Sequence, residues 1–162
     1  MGLPTPAALL LAATAAVTVS PLPVIAKDPV MQTQANPVPF PAIIQPLAEA
    51  VARGDLPAIA ALATPEALAQ TGQDRMTLLE WAIWNQQAHA LAALLRLGAD
   101  PRVPGMDGES VAHLAASVDD PRYLQVLIEH GAPIDQVGQR AARTPIFRAV
   151  QSRRDPQVRL LL

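Results

Sequence analysis

The chain contains no cysteine among its 162 residues. That excludes disulfides, a thiol nucleophile, cysteine-ligated zinc and a lipidated N-terminal cysteine. Aromatic residues are equally scarce: Phe40, Trp81, Trp84, Tyr123 and Phe147 are all there are. With so few aromatics and an excess of Ala and Leu, the composition favours helices over sheets, which lean on aromatic and β-branched residues. Three histidines are thin material for a metal or acid–base site. Glycine is sparse too, at eight residues against seventeen prolines, and nine of those prolines fall before residue 47. The formal net charge of −2 argues against a polyanion-binding protein of the usual basic kind.

Charge is missing altogether from residues 1–26. Ala7 to Val19 is a 13-residue, mostly apolar run, broken by Ser20-Pro21-Leu22-Pro23. A bilayer span needs roughly 20 apolar residues, so this run suits a cleaved export signal rather than a membrane helix. Val24-Ile25-Ala26 offers a cleavage site before Lys27, and the expected mature chain starts there, bound for the periplasm or for secretion. The signal lacks the usual Lys or Arg near Met1. Eleven Arg to one Lys points to a GC-rich bacterial source. Residues 27–42 form a Pro-rich polar linker without helical or strand period, expected to be disordered.

From residue 43 the sequence repeats. Gly98-Ala99-Asp100 recurs as Gly131-Ala132-Pro133, Leu94-Leu95 as Leu127-Ile128, and Thr77-Leu78-Leu79 as Ser110-Val111-Ala112, each shifted by 33. A further shift of 34 reaches Thr144-Pro145-Ile146, and a backward shift of 32 reaches Gln45-Pro46-Leu47. Each unit carries an Ala-bearing helix, and the last three precede it with a polar turn and a Ser or Thr suited to capping (Thr77, Ser110, Thr144), whereas the first lacks a recognisable hairpin. A second helix follows, closed in the two middle units by Gly98 and Gly131.

Gly108-Glu109-Ser110-Val111-Ala112-His113-Leu114-Ala115-Ala116, Thr144-Pro145-Ile146 and Leu94-Leu95-Arg96-Leu97-Gly98-Ala99-Asp100 resemble the motifs of the ankyrin repeat family. The resemblance covers residues 43–162. It implies an all-α solenoid of about four helix-turn-helix units with short hairpin loops: 43–71, 72–104, 105–137 and 138–162. Glu80 stands where the family has His, and Arg75 replaces a turn Gly. The Gly between paired helices survives only as Gly54, with Gln86, Asp119 and Arg153 at the later positions, which leads us to expect less regular turns there. The last unit stops inside its second helix, and we expect the native chain to continue.

No catalytic, cofactor-binding or metal-binding residue is assigned. His113, His130 and His89 read as structural or surface residues, and Asp119-Asp120 as solvated turn acids. The expected function is binding of a partner protein, not catalysis or nucleic-acid binding, with no stable membrane span. The resemblance implies a concave face carrying Met76, Trp84, Met106, Glu109, Arg140 and Arg143. Arg140 to Arg159 carries a net +5 and Asp28 to Gln139 a net −8, an asymmetry suited to steering a partner. An immunity protein neutralising a periplasm-acting toxin fits this reading. A periplasmic scaffold or stress-protection protein is the alternative, and a hydrolase using His113 the reading from another class.

Overall fold

A computed structural model describes residues 38–139 and 142–162. The signal-like segment, most of the linker, and Arg140 lie outside these described residues. Within them the chain is helical, without a strand.

The helices fall into two rows. One contains α1 (Gln45–Arg53), α4 (Leu78–Trp84), α6 (Val111–Ser117) and α8 (Pro145–Gln151). The other contains α2 (Leu56–Leu62), α5 (Ala88–Arg96), α7 (Arg122–Glu129) and α9 (Asp155–Leu161). A single turn, α3 (Pro65–Leu68), follows α2. Each helix packs on its neighbour in its own row and on its antiparallel partner in the other. Close approach in the first row follows from alanine: Ala50, Ala82, Ala115 and Ala149 are fully buried. The second row contributes larger side chains, with Ile59, Leu91, Leu94, Leu124 and Leu127 fully buried. Phe40 belongs to this core, its ring edge-on to Trp81 at 5.8 Å, while the Trp81 indole N–H donates to the Ala48 carbonyl at 2.9 Å.

Three turns between paired helices share one backbone shape. Gly54, Gln86 and Arg153 all take the left-handed conformation, with φ of 69°, 59° and 55°. The next N–H then bonds back into the first helix, from Asp55 to Ala50, Gln87 to Ala82 and Arg154 to Ala149. Gln86 and Arg153 therefore keep the geometry of Gly54, at the steric cost a side chain meets there. The turn after α6 differs: Val118 is extended, and Asp119 does not take a positive φ.

The loops before α4 and α6 close as tight turns. The Gly72 N–H donates to Met76 and the Gly105 N–H to Glu109, both at 2.8 Å, around left-handed Asp74-Arg75 and Asp107-Gly108. Before α8 the Gly138 N–H donates to Arg143, again at 2.8 Å. Thr77 caps α4, whereas Thr144 makes no side-chain cap and Pro145 starts α8 instead.

Candidate functional site

The loops are tied to the helices by two side chains in equivalent positions. Glu80, 2% exposed, accepts from the Thr77 N–H at 2.9 Å and from its hydroxyl at 3.2 Å. The other carboxylate oxygen accepts from the Met106 N–H of the next loop at 3.2 Å. Burial raises the Glu80 pKa above its ordinary 4.5 and the Glu109 charge pushes the same way, against these hydrogen bonds. In the following unit His113 is wholly buried. Its Nδ1 accepts from the Ser110 N–H at 3.2 Å, so Nε2 carries the proton and donates to the Arg143 carbonyl at 2.8 Å. Both imidazole nitrogens are therefore engaged. Among the described residues no group of His, Asp and Glu is gathered to hold a metal ion.

Met106 lines a cleft of about 620 Å³ at the loop tips, together with Asp74, Arg75, Asp107, Gly108 and Gln139. Met76 is half-buried and packs against the core. Glu109, assigned on sequence to the concave face, meets Arg148 of α8, with Oε2 3.2 Å from the Arg148 Nε. A carboxylate in that loop lies within reach of the next helix's guanidinium. Arg143 is also half-buried, and its guanidinium lies over the Phe147 ring, 5.1 Å from the centroid.

Trp84 stands apart from these residues. It is the last residue of α4 and 59% exposed, about 9 Å along the helix axis from the loop end. It lines a second groove, of about 540 Å³, with Ile83, Gln86, Leu114, Val118 and the Asp119–Tyr123 turn. The Asp120 carboxylate takes three contacts from the Arg122 guanidinium, at 3.1, 2.9 and 2.6 Å, and one from the Arg122 N–H at 2.9 Å, which hold its pKa below the usual range. Burial raises the Tyr123 phenol, and the Asp120 charge adds to that shift. Asp119 pairs with Arg154 of the last unit.

The structure thus brings Met106 to one cleft and Trp84 to another. Leu114 and Val118 were not among the residues singled out on sequence, and Asp119-Asp120, read there as solvated turn acids, are instead each paired with an arginine. A signal exists at Asp120: its equivalents Gln87 and Arg154 carry hydrogen-bond donors, whereas Asp120 is an acid.

The described residues define an all-α chain of paired helices stacked side by side, and none of these helices is long and apolar enough to cross a membrane. No family model matches the chain. It is 41% identical to Protein PhlB of Serratia liquefaciens over 151 residues, which are 93% of this chain and 66% of that protein. The chain thus spans just under two thirds of this relative. It is also 32% identical to the NF-kappa-B inhibitor cactus of Drosophila yakuba over 78 residues, 48% of this chain and 16% of that one.

Proposed function

We propose that this chain is an ankyrin-type repeat stack that binds another protein and performs no chemistry of its own. The exposure of Trp84 beside an open groove carries this reading. A large apolar ring left in water at the end of a rigid helix is typical material for a binding hot spot. The loop-tip cleft at Met106 supplies a second contact region, and the Arg143 guanidinium a fork for carboxylates. Rigidity of the stacked helices limits the entropy lost on association. Similarity to a protein named as an inhibitor of another protein favours partner binding over catalysis. The engagement of both His113 nitrogens in holding the fold weighs against the hydrolase reading.

The uncharged, apolar residues 1–26 support export. In that compartment the role we favour is an immunity protein that neutralises a toxin acting in the periplasm. Capture from periplasmic extract of the source bacterium, followed by calorimetric titration of the purified partner, tests this. Stoichiometric binding that inhibits the partner's activity is the expected result. Binding without inhibition favours the scaffold role, and failure to titrate any captured protein ends the reading.

A further inference from the structure

One side-chain position closes the junction between the third and fourth units and is left unpartnered between the second and third. Gln157 of α9, wholly buried, donates its side-chain N–H to the Val118 carbonyl at 2.6 Å and to the Asp119 carbonyl at 3.2 Å, in the turn of the preceding unit. The 34-residue shift that relates these units puts Tyr123 of α7 at the same position one junction earlier. Tyr123 is 4% exposed and lines the Trp84 groove together with Ile83 and Gln86 of the preceding unit. Among the described residues its hydroxyl has no hydrogen-bond partner. A tyrosine hydroxyl this far from water usually has one.

The rest of the lining selects the kind of group that meets this hydroxyl. Its charges are already matched within the chain, Asp120 by Arg122 at 2.6 Å and Asp119 by Arg154. An ionic occupant would lose its hydration and find no unpaired opposite charge. The apolar surface comes from Trp84, Leu114 and Val118, and the exposed indole is its largest part. Aromatic rings pack offset or edge-on to one another, and such pairs contribute beyond the area they bury. Burial raises the Tyr123 pKa, so the phenol keeps its proton and offers it to an acceptor. A neutral ring with a carbonyl beside it satisfies both surfaces, and a groove of about 540 Å³ has the size of a small-ligand pocket.

We propose that the groove between the second and third units is a pocket for an uncharged aromatic side chain of the partner protein, its ring packed on Trp84 and its backbone carbonyl accepting from the Tyr123 hydroxyl. This rests on the protein-binding reading and names the chemistry of one contact within it.

The test uses the isotope-labelled protein with Nα-acetyl-phenylalanine amide as the probe and its leucine, arginine and aspartate counterparts as controls. The Trp84 indole resonance is expected to shift saturably with the phenylalanine probe, with Kd on the order of 1 mM or weaker. The leucine probe should bind about threefold more weakly, and the two charged probes at least about tenfold more weakly. The Trp81 indole, already bonded to Ala48, stays in place. Tyr123→Phe removes the hydroxyl and keeps the ring. It should leave the melting temperature unchanged or higher and weaken the phenylalanine probe by about threefold to tenfold. A lower melting temperature would mean that the fold already uses the hydroxyl, and would overturn the proposal. Equal binding of the charged or leucine probes, no shift at Trp84, or undiminished binding to Tyr123→Phe would each overturn it too. If a captured partner still titrates while the phenylalanine probe fails, this pocket is refuted and the protein-binding reading stands. If no partner titrates, that reading fails, whatever the probe does.

Discussion

Glu80 and His113 occupy one position in successive units and fasten the next loop in opposite senses. The Glu80 carboxylate accepts from the Met106 N–H, and the His113 Nε2–H donates to the Arg143 carbonyl. A carboxylate can only accept and this imidazole tautomer can donate, so the adjoining loops present different backbone groups to them. Removing the acceptor by Glu80→Ala strands the buried Thr77 and Met106 N–H groups. The expected cost is about 1–3 kcal/mol in urea unfolding.

The pH dependence of that interaction has a definite sign. The Glu80 pKa is raised on folding, so the native state holds its proton where the unfolded chain has lost it. Its contribution is fully present below the ordinary value of 4.5 and is lost as pH rises through the native value. Urea titrations across that window should show wild type losing stability relative to Glu80→Ala as pH increases. The opposite slope would contradict the burial of this carboxyl.

Gly105 is coupled to the same side chain. A Cβ there would lie 2.1 Å from a Glu80 carboxylate oxygen. Gly105→Ala should cost about 1–3 kcal/mol in wild type and much less beside Glu80→Ala. A double-mutant cycle by chemical denaturation checks this, and additive losses would place Glu80 elsewhere.

Left-handed turn positions give a further comparison. Gln86→Gly and Arg153→Gly should each raise stability by about 0.5–1 kcal/mol, since glycine removes the strain of positive φ. Asp119→Gly should not, because Asp119 does not adopt that conformation. Melting temperatures of the three variants separate the turns.

Ala115 lies fully buried in the first row, and overpacking by Ala115→Leu should cost about 1–3 kcal/mol. Glu109→Ala breaks the pair with Arg148 and should cost no more than about 1 kcal/mol, the upper range for partly exposed pairs. Thermal unfolding that ranks the two the other way would contradict the packing described.

Helical class was legible from composition, because alanine and leucine report it without any long-range information. The mutual placement of the proposed binding residues was not. Repeat register assigns residues to equivalent positions, but it does not tell that Trp84 ends its helix while Met106 begins the next loop. Gln86 and Arg153 illustrate the same limit. Their departure from glycine suggested irregular turns, yet the backbone hydrogen bonds to Ala82 and Ala149 hold the shape against the side-chain strain. Asp119 does depart: Val118 before it is extended and Asp119 takes no positive φ. The Glu109–Arg148 pair joins residues 39 positions apart and lay outside any local pattern. Arg140, assigned to the binding face on sequence, falls outside the described residues.

Protein binding at the groove beside Trp84 is tested most directly by calorimetric titration of the captured partner against wild type, Trp84→Ala and His89→Ala. His89 is exposed on α5, in the other row of helices, and serves as the control. Trp84→Ala should weaken binding by at least about 2 kcal/mol, and His89→Ala should leave it unchanged. Equal affinities for folded Trp84→Ala and wild type, or an equal loss in both variants, would contradict the account.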